Sequence, residues 1–451
     1  MTLLTSHSVF AENFSAYNAA QLSEHLQAAV DNGDSKDTIT IFGTITTSQQ
    51  FDIQSPVTIQ GAPGFRVSRI VRTSTDAFQP LFNIQSSNVT IQNLLMFDRN
   101  GQNENTQVAA DAGNDHSNAR LINIPYEDAY QQISNITITN NTFENTPVGV
   151  ASSGLIPRNL TITNNDFNKV NRSVELLRDV GRVHHVLDVS ADNVVLNGGT
   201  INISNNRVTG NRIRLGFSVD AGNDGIYVPP SFENIPFFDA SARALFSDRP
   251  VVFTNSSTIN ANSIAGANEF GIALATVANI TVAGNWVATA EDDIWSDDAS
   301  IENNFTAGIN VEHNSENIVV DANTIVVGTT GGFATGINVL GFQDHEAPLN
   351  HAQASRNISL VRNTFEGTGQ NTILAFGYEN LLVQDNDASD FITRNPYSVN
   401  ASFYTIPCGI GTSTASGNTN IFFNQSSFDG NGNAPQFYDA HGNVIDSPVC
   451  N

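Results

Sequence analysis

The chain has 451 residues, and its 44 Asp and Glu against 19 Lys and Arg give a formal net charge of −25. A protein that binds duplex nucleic acid needs a basic face, so this balance argues against nucleic acid as a partner. No apolar run in the sequence is long enough to cross a bilayer, so a membrane span is not expected.

The first eleven residues have features of an export signal. Leu3 and Leu4 precede a small-residue stretch in which Val9 and Ala11 fit positions −3 and −1 of a signal-peptidase site. We interpret residues 1–11 as the remnant of an export signal, or else as a disordered tail, and expect a secreted (extracellular or periplasmic) protein. In an exported protein Cys408 and Cys450 would form one disulfide in the C-terminal tail.

Residues 12–36 are predicted to form an N-terminal cap around a short amphipathic helix. Leu22, Leu26 and Val30 recur at helical spacing in this segment. A helix at this position would shield the strand edges and the apolar floor of a repetitive core.

Residues 37–390 repeat a pattern of short strands. One copy reads Gly308-Ile309-Asn310-Val311, then Asn317-Ile318-Val319-Val320, then the turn residue Asn323. Such strands, of period two and separated by Gly and Asn turns, cannot bury their apolar side alone. Stacked copies pair their backbone amides and share one core, and their turn asparagines tolerate left-handed backbone and can hydrogen-bond as a ladder. We therefore predict an all-β parallel solenoid.

The copies resemble the rungs of right-handed parallel β-helix proteins, the pectin-lyase-like superfamily, from roughly Ser87 to Asp390. The resemblance implies a right-handed parallel β-helix with an N-terminal capping helix. That superfamily includes polysaccharide lyases, hydrolases, uronate epimerases, tailspikes and adhesins. It therefore implies an acidic or neutral polysaccharide as the partner, and a monomer or a homotrimer as the assembly.

Three segments interrupt or end the repeat. Long loops are predicted near residues 98–119 and 229–250, and residues 391–451 read as an irregular C-terminal tail or cap. Loops of that length usually serve a site. We therefore expect a substrate groove beside them.

Alternation in residues 211–217 predicts which side chains face that groove. Ile213, Leu215 and Phe217 are predicted to point inward, which turns Arg212 and Arg214 outward on one face. Such a pair could clamp a uronate carboxylate. The alternative is that both arginines only solvate the sheet and pair with Asp220 or Glu175.

A lyase also needs a group that removes the proton α to the carboxylate. Tyr227, which is predicted to face outward, and His313, at the end of a strand, are the candidates, while Asp224 stands at the start of its strand. For substrate binding we select the outward Asn310 and Glu312, together with Asn338 and Trp295. Trp295 could stack on a sugar ring.

The densest acidic cluster allows three interpretations. Glu291, Asp292, Asp293 and Asp297 could bind Ca²⁺ through oxygen ligands, supply the paired carboxyls of a hydrolase with Asp224, or form a solvated turn. Asn223–Ile226 and Asp292-Asp293 resemble two motifs of polygalacturonases. The Gly-His-Gly motif of that family is absent here, which puts membership in doubt.

The sequence thus predicts a secreted enzyme that degrades a uronate-containing polysaccharide by β-elimination. A glycoside hydrolase on the same fold is the first alternative. A non-catalytic adhesin or tailspike-like binder is the second.

Overall fold

A computed structural model of the chain describes the following residues: 10–33, 35–64, 67–76, 79–100, 119–125, 133–152, 156–177, 197–210, 213–220, 250–290, 305–312, 315–328, 333–340, 355–376, 378–393, 399–402, 414–421, 437–438 and 444–445. Within them the chain forms one helix, α1 (Ala19–Asp31), and 35 strands.

In chain order the strands are β1 (Asn13–Ala16), β2 (Asp37–Ile41), β3 (Thr44–Thr47), β4 (Phe51–Ile53), β5 (Val57–Gly61), β6 (Arg69–Arg72), β7 (Phe82–Ile84), β8 (Thr90–Gln92), β9 (Leu95–Asp98), β10 (Arg120–Ile124), β11 (Ser134–Thr139), β12 (Thr142–Ser152), β13 (Arg158–Thr163), β14 (Asp166–Leu177), β15 (Asn197–Gly199), β16 (Ile201–Ser204), β17 (Arg207–Thr209), β18 (Ile213–Asp220), β19 (Val251–Asn260), β20 (Ser263–Ala275), β21 (Val277–Ala283), β22 (Trp286–Thr289), β23 (Phe305–Glu312), β24 (Val319–Asp321), β25 (Thr324–Val327), β26 (Phe333–Leu340), β27 (Ser355–Val361), β28 (Thr364–Gly369), β29 (Asn371–Phe376), β30 (Tyr378–Gln384), β31 (Asp387–Thr393), β32 (Val399–Ser402), β33 (Thr414–Ser416), β34 (Phe437–Tyr438) and β35 (Val444–Ile445).

Apart from the antiparallel pair β34–β35, every pairing among the described strands is parallel, and the parallel strands form three long faces. Face 1 consists of β1, β2, β5, β8, β11, β13, β16, β19, β21, β24, β27, β30 and β33, with β15 beside β19. Face 2 consists of β3, β6, β9, β17, β22, β25, β28, β31 and the N-terminal halves of β12, β14 and β20. Face 3 consists of β4, β7, β10, β18, β23, β26, β29, β32 and the C-terminal halves of β12, β14 and β20. The chain passes through the faces in that order on each rung, so the predicted parallel β-helix is confirmed.

The core is a stack of identical positions. On face 1 a single inward column of β-branched and leucine side chains is fully buried at every rung: Ile39, Ile59, Ile91, Ile138, Ile162, Ile203, Ile259, Val282, Val320, Leu360 and Val383. In an isolated rung each of these side chains would have no neighbouring side chain of the column to pack against. The repeat is therefore stabilised by its neighbours rather than by its own strands.

The turn from face 1 to face 2 contains the predicted asparagine ladder, and the ladder is buried. Each side-chain amide donates to the Oδ1 of the next asparagine at 2.8–3.2 Å, through Asn141, Asn165, Asn206, Asn262, Asn285, Asn323, Asn363, Asn386 and Asn418. In each turn the residue with left-handed backbone (positive φ) directly precedes the ladder asparagine, as at Gly284, Ala322 and Arg362. A second, exposed ladder joins asparagines that do have positive φ, including Asn279, Asn317 and Asn357.

The repeated glycines lie inside strands, at the bend between face 2 and face 3, rather than in turns. A Cβ on Gly271 would lie 2.2 Å from Val287 Cγ1, and a Cβ on Gly308 would lie 2.4 Å from Ile325 Cγ2. Both neighbours are core side chains of face 2. Glycine recurs because these side chains fill the space behind the bend, where a further Cβ would clash.

The predicted capping helix is confirmed. Asn18 Oδ1 accepts from the Gln21 amide at 2.9 Å and caps the first turn. Leu22 and Leu26 are buried as predicted, and Ala29 rather than Val30 completes the buried stripe.

The parallel ladders extend beyond residues 37–390 at both ends. Strand β1 pairs with β2 ahead of the helix, and β32 and β33 continue faces 3 and 1. Most of the predicted loops at 98–119 and 229–250, residues 1–9, Cys408 and Cys450 lie outside the described residues. Within the described ranges, no helix has both the length and the apolarity needed to cross a membrane.

Candidate functional site

The outer surface of face 3 forms a grid of side chains in register. Column A contains Arg172, Leu215, Phe270, Ala307, Thr335 and Asn371. Column B contains Glu175, Ser218, Ala273, Asn310, Asn338 and Leu374. Column C contains Leu177, Asp220, Ala275 and Glu312. Successive members of a column lie about 4.8 Å apart, which is the spacing of neighbouring strands.

The middle of this grid is a floor of small side chains. Ala273, Ala275 and Ala307 occupy neighbouring positions in the three columns. Ala307 is 0% and Ala275 4% exposed, whereas Ala273 is half-buried. We call these three residues the alanine floor.

Two carboxylates stand on opposite sides of the alanine floor. Asp220 and Glu312 are both half-buried and are the register partners of Ala275 from below and above. Their Cα atoms are two rungs apart, or about 9.6 Å. If the side chains lean toward Ala275, their carboxyl groups come within the roughly 6.5–9.5 Å that separates the acid and the base of inverting glycosidases.

Glu312 is held in place by its neighbour in column B. Asn310 Nδ2 donates to Glu312 Oε1 at 2.6 Å, and Asn310 itself is 1% exposed. A hydrogen bond donated to a carboxylate favours its ionised form. The hydrogen bond also fixes the orientation of the Glu312 carboxylate on the outer surface of face 3.

One rung below Ser218 lies an ion pair that sequence reasoning did not find. Arg172 Nη1 contacts Glu175 Oε1 at 2.7 Å, and both side chains are 8% exposed. Glu175 was considered only as a partner for Arg212 or Arg214. A buried pair of this kind stabilises the fold little but fixes the orientation of both groups.

Column B contains buried polar atoms without partners. In the part of the chain that the structure describes, Glu175 Oε2, Asn310 Oδ1 and Asn338 Nδ2 are buried and make no hydrogen bond. The N-terminal end of the same face is different, because Asn83 donates to Asp52, Asn123 to Asn83 and Arg120 to Asn123, at 2.8–3.0 Å. An unsatisfied buried polar atom costs about 1–3 kcal/mol, so the middle rungs are where a ligand hydroxyl would be stabilising.

The predicted site residues divide into those the structure describes and those it does not. Asn310, Glu312 and Asn338 lie on one outer surface, with Asn310 and Asn338 in register on adjacent strands. Arg214 belongs to strand β18, but its side chain is outside the described residues. The following predicted residues lie outside them entirely: Arg212, Asp224, Tyr227, Glu291, Asp292, Asp293, Trp295, Asp297 and His313.

The alternation used to orient residues 211–217 breaks at Gly216. Ile213 and Phe217 are buried in the core as expected, but Leu215 is half-buried and shares column A with Arg172 and Phe270. A Cβ on Gly216 would lie 2.9 Å from the core atom Ile264 Cδ1, so position 216 faces inward and position 215 faces outward. The strand bends there to pass from face 2 to face 3.

Asp220 was named in the sequence only as an ion-pair partner, although a signal was present. It follows Gly216 by four residues, as Glu312 follows Gly308 and Ala275 follows Gly271. Aligning the copies on this glycine would have placed both carboxylates in one column. Strand parity counted across the bend does not reveal this alignment.

Metal binding finds no support among the described side chains. No group of three or more His, Cys, Asp or Glu in those ranges is arranged to hold a metal ion. The predicted Ca²⁺ ligands at residues 291–297 are not part of them.

No protein-family model matches the chain, and no curated protein matches it. Among solved structures, a mannuronan C-5 epimerase A-module of Azotobacter vinelandii is 14% identical, with a TM-score of 0.46, and the match covers 88% of this chain and 95% of that one. The catalytic unit of an α-1,3-glucanase of Streptomyces thermodiastaticus is 12% identical (TM-score 0.48, 89% and 66% covered). A PL6 alginate lyase in complex with a trisaccharide is 11% identical (TM-score 0.36, 93% and 87% covered). Similarities at this level assign no activity to this chain.

Proposed function

We propose that this protein is a secreted enzyme that degrades a polysaccharide on face 3, and that it does so by hydrolysis with inversion. The observation that supports this reaction is the placement of Asp220 and Glu312 in register on either side of Ala275. Two carboxyls on one face of a rigid sheet, one to act as the acid and one as the base, are what inverting hydrolysis requires.

In the proposed reaction Glu312 is the base and Asp220 the acid. Glu312, oriented by Asn310, takes a proton from a water molecule as the water oxygen bonds to the anomeric carbon. Asp220 gives its proton to the leaving glycosidic oxygen as the bond from that oxygen to the anomeric carbon breaks. Both carboxyls exchange their protons with solvent before the next turnover.

Substrate binding in this proposal uses the buried atoms that the fold leaves unsatisfied. Asn310 Oδ1 can accept from a sugar hydroxyl, and Asn338 Nδ2 can donate to one on the next rung. Phe270, half-buried in column A beside the alanine floor, offers an apolar surface to the ring. The polymer would then run along the solenoid axis across successive rungs.

A second candidate is β-elimination on a uronate-containing chain. Arg172 favours it, because its guanidinium lies on the outer surface of face 3 and, besides holding Glu175, could contact a uronate carboxylate. In this candidate Arg212, Arg214, Tyr227 and His313 keep their predicted roles. A Ca²⁺ ion at Glu291, Asp292, Asp293 and Asp297 likewise stays a prediction.

Product analysis separates the two reactions. The protein is incubated with neutral and uronate-containing polysaccharides, with and without EDTA, while new reducing ends and the ultraviolet absorbance of unsaturated uronates are followed. We expect reducing ends without absorbance, and an inverted anomeric configuration by NMR. Rising absorbance would reject hydrolysis in favour of elimination, and a retained configuration would reject the assigned roles of Asp220 and Glu312.

Variants connect the activity to the site. We expect Asp220→Asn and Glu312→Gln each to lower kcat by about 10²–10⁴-fold, the usual contribution of a general acid or base. Glu366→Gln, a matched change on face 2, should leave kcat unchanged. Full activity in both site variants would rule out this pair of carboxylates.

A further inference from the structure

Face 2 carries an exposed tryptophan at the middle of an uncharged surface. Trp286 is 40% exposed, and its neighbours in register are Ser263 on one side and Thr324 on the other. Two residues further along the same three strands, a second row in register consists of Ala265, Ala288 and Val326. We call these six residues the Trp286 platform.

The platform is flat because it lies on three adjacent strands of one parallel face. Its members are spaced about 4.8 Å between strands and about 6.6 Å along each strand. All the side chains other than Trp286 are small or β-branched, so the indole is the largest group on that surface. An aromatic ring in such a setting presents an apolar body together with one polar N–H.

Charged groups border the platform along the solenoid axis. One rung before Ser263 is Arg207, which pairs with Asp166 Oδ2 at 2.7 Å. After Val326 comes Glu366, and after Thr364 comes Asp387. In a chain of net charge −25, the platform is therefore an uncharged window about three rungs long.

The size of this window argues against a protein partner. A stable protein interface takes about 20–30 residues from each side. The Trp286 platform offers six, and the residues beyond it are charged. A second copy of the chain would have to place its own acidic surface against Glu366 and Asp387.

A polysaccharide chain fits the same window. A pyranose ring has an apolar face of C–H groups and a rim of hydroxyls, which match the indole and the flanking Ser263 and Thr324 hydroxyls respectively. The absence of formal charge in the window favours an uncharged sugar polymer over a polyanion, which Glu366, Asp387 and the net charge of −25 would repel.

We propose that the Trp286 platform is a second polysaccharide-binding surface, specific for uncharged pyranose chains and separate from the site proposed on face 3. This proposal rests on the proposed function only for the class of polymer, a polysaccharide. On the far side of the glycine bend from Asp220 and Glu312, it would hold the polymer near the enzyme without touching the reacting bond.

Affinity electrophoresis of the full-length protein tests this proposal. Wild type, Trp286→Ala, Trp286→Phe and the matched control Val252→Ala, an exposed residue of face 1, are run in gels containing soluble neutral β-glucan, α-glucan or galactomannan, and in gels containing alginate. We expect at least one neutral polymer to retard wild type and Val252→Ala equally. Trp286→Ala should bind about five- to tenfold more weakly, and Trp286→Phe should keep an intermediate affinity.

Three results would overturn the proposal: no retardation by any neutral polymer, retardation by alginate alone, or equal retardation of wild type and Trp286→Ala. Concentration-dependent self-association of wild type that Trp286→Ala abolishes would also overturn it in favour of a second copy. Failure here is distinct from failure of the proposed function, because polymer binding is measured without turnover. The activity of Asp220→Asn and Glu312→Gln is measured separately.

Discussion

Replacing Asn285 by Ala removes one step from the interior of the buried asparagine ladder. Its Oδ1 accepts from the Asn262 backbone N–H at 3.0 Å and from Asn262 Nδ2 at 2.9 Å. Its Nδ2 donates to Ile259 O at 2.9 Å and to Asn323 Oδ1 at 2.8 Å. The change leaves two buried donors of Asn262 without acceptors, at about 1–3 kcal/mol each, so we expect a loss of about 2–6 kcal/mol.

Asn418→Ala is the matched control, because Asn418 is the last step of the ladder among the described residues and has three of the four kinds of side-chain contact that Asn285 makes. It accepts twice from Asn386 and donates to Val383 O, all at 3.0 Å. Asn418 is only half-buried, so water can replace what the side chain supplied. We expect its replacement to cost about 1 kcal/mol or less.

Urea unfolding followed by circular dichroism and by tryptophan fluorescence measures both changes. Trp286, directly after Asn285, contributes a signal from the affected rung, together with Trp295, the second tryptophan of the chain. Because a solenoid can unfold in segments, the two signals should be compared before any single free energy is derived. Equal and small losses in Asn285→Ala and Asn418→Ala would refute the idea that burial makes the ladder hydrogen bonds stabilising.

Two further predictions concern the bend and a buried carboxyl. Gly308→Ala places a Cβ 2.4 Å from Ile325 Cγ2 and 2.9 Å from Gly336 O, so we expect a loss of about 1–3 kcal/mol in thermal unfolding and, since Glu312 is on the same strand, a lower kcat. Gly284→Ala is the control, because a Cβ there meets nothing within 4 Å although φ is +61°. It should lower the stability by about 1 kcal/mol and leave kcat unchanged. Equal effects of Gly308→Ala and Gly284→Ala on kcat would contradict the steric argument. Burial raises the pKa of the Asp98 carboxyl although its partner Arg72 opposes the shift. The stabilisation from the protonated form is therefore present below the unfolded pKa of about 3.9 and is lost as pH rises through the higher folded pKa. We expect the stability of wild type relative to Asp98→Asn to fall across that window, and a difference that rises with pH would contradict it.

Face 1 shows how far the sequence could predict the fold. Alternation of period two identifies the column from Ile39 to Val383, because one side of each strand must be apolar to be buried and the other side meets water. The recurrent asparagines predict the ladder for a similar reason, since a polar residue repeated at one turn needs a partner on the next rung. The position of the left-handed residue, one before the asparagine, could not be read from the pattern alone.

Face 3 shows where that reasoning fails. Parity counted along Arg214–Phe217 crosses the bend at Gly216, where the strand changes face and two successive residues, Gly216 and Phe217, both point inward. Counting across this bend predicts an inward Leu215, whereas the side chain of Leu215 faces outward. The same count does not place Asp220 in one column with Glu312.

The sequence by itself determined the rung pattern, the capping helix and the outward positions of Asn310 and Glu312. These follow from local periodicity, which is a property of each short segment. Only the tertiary structure decided which rungs stand next to one another, because connections as different as the one residue between β20 and β21 and the thirty between β18 and β19 leave register open. Register brings Asp220 and Glu312 to the two sides of Ala275, and it places Ser263 and Thr324 beside Trp286.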